Sequence, residues 1–234
     1  MRNANSNSGT TFDPQKVWYT RATVNLDTGV IDVKEVPCRN LEDVLGGFGR
    51  SFQMLMTRDI TEALSADNPL IINTGLLTGS NVMTGLRTYF SAYSPLKYSD
   101  KGLPAAIWSA ASGKFGSKMK WTGLDEIVVE GRSSHPQLIV IQESPDGPQV
   151  TLKSAEALLG METHDKIMAL QKDYADAHFA VIGPAGEAYE SCYFAAVALS
   201  TENELKSGDD KCRFAGRGGM GTKLEASRYA ARAG

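Results

Sequence analysis

Residues 213–221 read Arg-Phe-Ala-Gly-Arg-Gly-Gly-Met-Gly, with four glycines and two arginines in nine positions. Glycine lets a backbone approach a ligand closely and visit positive φ. The amides of such a turn, leading into a helix start, form a concave anion site, and residues 222–232 read as that helix. Arg213 and Arg217 add planar forks matched to phosphate oxygens. The chemistry these residues suit is phosphate or pyrophosphate binding. A flexible surface turn is the competing reading of the glycines alone, and the paired arginines favour the ligand. Residues 216–221 can be counted as G-x-G-x-x-G, yet the segment before them, Ser207-Gly208-Asp209-Asp210-Lys211, is polar where a dinucleotide site needs a strand. The G-K-[ST] of a P-loop is also missing, so the guest is not expected to be a nucleotide.

A second place of the same character lies earlier. Arg87 follows Gly85-Leu86 and opens an alternating strand, and Ser109-Ala110-Ala111-Ser112-Gly113 is made only of small residues whose backbone can be approached closely. Arg87 read alone is an exposed strand arginine. Beside a small-residue turn it becomes a third basic contact for the same anion.

The elements that must position these residues recur in order. Alternating apolar residues on both sides of Asp27-Thr28-Gly29 predict a hairpin over 17–36. Asn40 can cap a short helix at 41–45 that Gly46-Gly47 ends, a second helix is expected over 50–64, and Leu70-Ile71-Ile72-Asn73 reads as a buried strand entering a glycine turn. The same sequence then returns: a hairpin around Pro145-Asp146-Gly147-Pro148, a Ser154-capped short helix ended by Gly160, a helix over 163–175, the strand 179–182, and the turn Gly183-Pro184-Ala185-Gly186. Between the copies, 118–121 and 126–131 read as strands. The expected fold class is therefore α+β: two β-sheet lobes related by internal duplication, with helices packed on the sheets. Residues 1–16 are expected to form a flexible tail, and 17–234 one domain.

Composition narrows the function. With 42% apolar and 22% charged residues the chain is an ordinary globular one, and its net charge of -3 argues against a general nucleic-acid surface. Cys38, Cys192 and Cys212 are odd in number and form no C-x-x-C, which excludes a disulfide framework or self-contained cluster site and suits a reducing cytoplasm. His135, His164 and His178 read as surface or structural residues. No apolar run approaches membrane-spanning length.

With these residues assembled, the chain resembles the N-terminal domain of the tungsten-containing aldehyde ferredoxin oxidoreductase family. The resemblance is carried by Asn25-Leu26-Asp27-Thr28-Gly29, Thr74-Gly75-Leu76-Leu77-Thr78-Gly79, Thr84-Gly85-Leu86-Arg87, Ser94-Pro95-Leu96, Gly113-Lys114-Phe115-Gly116, Ile127-Val128-Val129-Glu130-Gly131, Ile182-Gly183-Pro184-Ala185-Gly186-Glu187 and the 215–221 stretch. It implies a base on which two pyranopterins lie, their dithiolenes holding tungsten or molybdenum and a magnesium ion bridging their phosphates. It further implies that Arg87, Arg213 and Arg217 contact the cofactor, that the backbone at Ala110, Ser112, Phe214 and Gly216 lines it, and that the carbonyls of Ala110 and Phe214 ligate the magnesium. The family usually carries asparagine, glycine and alanine where this chain has Ala110, Ser112 and Phe214. The domains that bear the [4Fe–4S] cluster and the acid–base residues are expected on a partner chain, with electrons passing to a ferredoxin-like carrier. The activity implied is oxidation of an aldehyde to a carboxylic acid. The alternative is a non-catalytic module that binds or assembles the pterin cofactor.

Overall fold

The computed structural model describes residues 17–38, 46–80, 82, 85–188 and 197–200. The first hairpin forms as expected, from β1 (Val17–Asn25) and β2 (Ile31–Cys38). Its turn is tied by Asn25, whose Oδ1 accepts from the amide of Thr28 at 2.9 Å, and Gly29 takes the positive φ of 71° that closes it.

Four more strands complete the sheet: β3 (Leu70–Thr74), β4 (Thr88–Tyr98), β5 (Pro104–Ala111) and β6 (Glu126–Glu130). Their order is β2-β1-β6-β3-β4-β5, with β1 and β6 parallel and the other pairs antiparallel. Alternation along each strand separates two faces. One face carries Ala22, Val24, Ile72, Phe90 and Ile127, which join Met119, Leu124 and Val150 in the main core. The other carries Ile71 and Val128, packed with Leu55 of the helix described next.

That helix, α1, spans Gly47–Leu55. It was expected over 50–64, so it starts three residues earlier and stops nine earlier. It starts early because Gly46 and Gly47 take φ of 96° and 59°, and a Cβ on Gly47 would sit 2.9 Å from the Tyr89 ring. Only glycine lets the chain pass there. It stops early because the side chains beyond it serve other partners. Thr57 Oγ1 turns back to the carbonyl of Met54 at 2.8 Å, Tyr93 Oη caps the carbonyl of Leu55 at 2.9 Å, and Arg58 pairs with Glu130.

The expected strand at 118–121 is instead part of a helix, α2 (Phe115–Trp121). Lys-Met-Lys-Trp alternates over only four residues, and the wider spacing of Phe115, Gly116 and Met119 is helical. Gly116, Ser117 and Met119 are buried against the sheet. A Cβ on Gly116 would lie 2.5 Å from Thr88 Oγ1, so this glycine sets how closely the helix approaches.

The second run gives the hairpin β7 (Gln137–Ser144) and β8 (Gly147–Ser154), a single 3-10 turn at Glu156–Leu158, helix α3 (Thr163–Asp173), β9 (Ala180–Ile182), the one-turn α4 (Pro184–Glu187) and β10 (Val197–Leu199). The expected order of elements is present. The pairing differs from the first run: among the described residues β7–β8 and β9–β10 are separate two-stranded ladders. Val150, with Ile139, Ile141 and Leu152 beside it, packs this hairpin onto the main core. Lys166 of α3 reaches the carbonyl of Ile182 at 2.7 Å and pairs with Glu187, which pins α3 to the β9–α4 turn. The expectations for 1–16, for the short helix at 41–45 and for 213–232 lie outside the described residues.

Candidate functional site

One row of residues crosses all six strands of the sheet. Lys34, Arg21, Glu126, Asn73, Tyr89 and Ala110 are successive partners in the strand registers. All of them stand on the face that carries α1, because a register row shares one side of the pleat.

At the middle of this row is a buried ionic cluster. Glu126, fully buried, accepts from Arg50 Nε at 2.6 Å and NH2 at 2.9 Å, and from Arg21 Nε at 2.7 Å. Arg50 also lies over the Tyr19 ring, 4.2 Å from its centroid. Beside it, Asn73 Nδ2 donates to the carbonyl of Gly47 at 3.0 Å and to Ser51 Oγ at 2.9 Å. These polar contacts fix where α1 sits on the sheet. Sequence reading missed them; the available signal was a glutamate opening a strand whose centre, Ile127-Val128-Val129, is apolar.

Further along the row, Tyr89 and Trp108 meet Phe48 from the first turn of α1. Phe48 and Trp108 are stacked with centroids 4.9 Å apart, and each remains about half exposed. Tyr89 packs 6.1 Å from Phe48 and 6.0 Å from Trp108. This aromatic wall was not anticipated either.

The end of the row brings together the described residues singled out from sequence. Thr74 pairs with Thr88 and Thr88 with Ala111, so the finish of β3, the start of β4 and the finish of β5 lie side by side. Arg87 immediately precedes Thr88, and Ser112 immediately follows Ala111. The register thus sets Arg87, Ala110 and Ser112 at one corner of the sheet, with Ala110 on the aromatic face. Arg87 and Ser112 are exposed and Ala110 is half-buried. Among the described residues the Arg87 side chain has no hydrogen-bond or ion-pair partner. Among the described residues β5 is an edge strand, with no strand paired to its outer side. Arg213, Phe214, Gly216 and Arg217 lie outside the described residues. Among the described residues no group of three or more His, Cys, Asp or Glu side chains could hold a metal ion. No helix among them is long and apolar enough to cross a membrane.

The corner combines an exposed guanidinium with a small-residue edge, and similarity to known proteins gives the chain a family. The profile of the aldehyde ferredoxin oxidoreductase N-terminal domain matches residues 21–230. The chain belongs to that family. The tungsten-containing aldehyde ferredoxin oxidoreductase of Pyrococcus horikoshii is 33% identical over 211 residues, covering 88% of this chain and 31% of that protein. The enzyme of the same name from Thermococcus kodakarensis is 31% identical over 218 residues, covering 92% of this chain and 32% of that protein. Among solved structures, the active-site complex BamBC of benzoyl coenzyme A reductase, bound to 1,5 dienoyl-CoA, superposes with a TM-score of 0.67 at 26% identity. That match covers 79% of this chain and 28% of the other. The chain therefore spans about a third of the length of the oxidoreductases it matches.

Burial shifts titratable groups elsewhere in the fold. His178 is held below its ordinary value by burial and by the charges of Lys118 and Lys114. Asp125 is pushed up by burial, against the hydrogen bond from the Thr20 amide and the nearby Lys120. His178 stands beside Ser200, whose amide bonds the carbonyl of Phe179 at 2.9 Å.

Proposed function

We propose that this chain is the cofactor-binding base of a tungsten or molybdenum bis-pyranopterin oxidoreductase. Residues 17–234 form the binding domain, and the recurring element order reflects an internal duplication into two lobes. The observation that carries the reading is the corner at Arg87, Ala110 and Ser112: an open cationic fork beside backbone that a phosphate can reach. A phosphate monoester carries close to two negative charges and is costly to bury without charged donors. Arg87, with Arg213 and Arg217, supplies those donors. The backbone at Ala110, Ser112, Phe214 and Gly216 would line the pterins, and the carbonyls of Ala110 and Phe214 would hold a magnesium ion. The residues present fit such a group, since they offer charge and open backbone and ask for no base-specific pocket.

When bound, the tungsten or molybdenum centre supplies two-electron redox chemistry. This chain's residues bind and orient the cofactor at its phosphate ends. The reaction is oxidation of an aldehyde to a carboxylic acid or a related low-potential conversion. A partner chain would hold the [4Fe–4S] cluster, and a ferredoxin-like carrier in the cytoplasm would be the electron acceptor. The test is elemental and pterin analysis of the protein purified from cells supplied with tungstate and molybdate. The expected result is tungsten or molybdenum with two pterins per metal, and co-purification of a chain bearing cysteine cluster ligands. Protein free of both metal and pterin contradicts the reading.

A further inference from the structure

We infer that Lys120 and Trp121, on the last turn of α2, are positioning residues that hold the Gly75–Gly79 turn and through it the Arg87 contact; this rests on the cofactor reading above. Lys120 Nζ donates to the carbonyls of Gly75 at 3.0 Å and Leu76 at 2.9 Å, and lies 3.6 Å from Asp125 Oδ1. Two of the ammonium's three hydrogens go to these carbonyls, and the Asp125 carboxylate balances its charge. Trp121 Nε1 donates to the carbonyl of Gly79 at 2.8 Å. One helix end thus holds three carbonyls of a five-residue turn.

The turn passes that constraint to Arg87. Thr78 Oγ1 accepts from the amide of Gly75 at 3.1 Å and donates to the carbonyl of Arg87 at 3.2 Å. The amide of Gly79 bonds the carbonyl of Gly85 at 3.0 Å. Arg87 is therefore tied by its main chain to a turn that α2 holds, while its guanidinium stays open. The lysine is itself anchored, because Asp125 Oδ2 accepts from the Thr20 amide at 2.9 Å.

Burial does not explain the arrangement. Leu76, Leu77 and Leu86 are 38%, 53% and 41% exposed, and Trp121 is 45% exposed. A turn that buries so little of its apolar surface is placed by its hydrogen bonds rather than by core packing. Gly79 takes φ of 78°, and a Cβ there would come within 3.2 Å of Trp121 Nε1, so glycine keeps the carbonyl within reach of the indole.

The test compares Trp121→Phe, Lys120→Met and Arg87→Ala with wild type, each produced in tungstate- and molybdate-supplied cells. Two quantities are read: pterin and metal per chain, and hydrogen–deuterium exchange at residues 75–80 and 85–88. Trp121→Phe keeps the exposed ring and deletes one donor, so the fold survives even where Lys120→Met fails to accumulate. The expected result for Trp121→Phe is faster exchange confined to those residues and pterin content lowered about three- to fivefold, the equivalent of one hydrogen bond. Lys120→Met is expected to lose tenfold or more. Wild-type pterin content in Trp121→Phe, with content lost in Arg87→Ala, overturns the positioning role and leaves the cofactor reading standing. Wild-type content in Arg87→Ala overturns both.

Discussion

Arg50 and Glu126 lie 76 residues apart in sequence and meet as a two-pronged pair, Nε on Oε2 at 2.6 Å and NH2 on Oε1 at 2.9 Å. The pair joins α1 to the strand β6 at the centre of the sheet, and Arg21 of β1 completes it. Removing one member of such a cluster strands buried charge, whereas replacing the set by apolar residues is far less costly. Glu126→Gln is therefore expected to lower unfolding free energy by about 3–5 kcal/mol. Arg21→Met, Arg50→Met and Glu126→Leu combined should destabilise less than Glu126→Gln alone. Urea midpoints of the two variants check this, and equal losses would contradict it.

The approach of α2 to the sheet depends on Gly116 standing over Thr88. Gly116→Ala places a methyl 2.5 Å from Thr88 Oγ1 and 3.1 Å from Thr74 Cγ2. Overpacking of this kind costs roughly 1–3 kcal/mol. Thr88→Ala removes the nearer obstacle, so the double variant should recover part of the loss, visible as a coupling term in a double-mutant cycle. Additive losses would show that the helix has simply moved away.

Acid should weaken the fold through His178. Burial first, then Lys118 and Lys114, hold its folded value below the ordinary 6.5. A base with a depressed folded value gives stability that is whole above 6.5 and is lost as pH falls through the folded value, because the unfolded chain takes the proton first. The urea midpoint of wild type should fall on acidification below 6.5, and His178→Gln should flatten that slope. A wild-type slope retained by the variant would assign the acid sensitivity elsewhere.

What could be read from the sequence followed from local rules. The hairpins around Asp27 and Asp146, the strands β3 and β6 and the helix α3 each carry a clear period and a turn signal. Lys118–Trp121 misled because four alternating residues fit either period, and only the position of Gly116 against Thr88 settles it as helix. The end of α1 was misjudged because its stop is tertiary: Tyr93 caps Leu55 from a strand 38 residues on. At the candidate site, Arg87 and the 109–113 stretch stood out through small neighbours, the roles of Ala110 and Ser112 came from the resemblance, and the β4–β5 register brings the three to one corner. The Glu126 cluster and the Phe48–Trp108 stack were missed because contacts between distant residues leave no local pattern.

The central claim is that arginines of this chain hold pyranopterin phosphates, and Arg217 tests it most directly. A charge-assisted contact contributes about 1.5–3 kcal/mol, so Arg217→Ala should retain tenfold less cofactor or lower still, at 1.4 kcal/mol per decade. Arg217→Lys keeps the charge and loses the fork, so it should recover only part of the difference. The measurement is pterin and metal per purified chain for wild type and both variants. A graded series of wild type, then lysine, then alanine is the predicted result, and wild-type content in Arg217→Ala would contradict it.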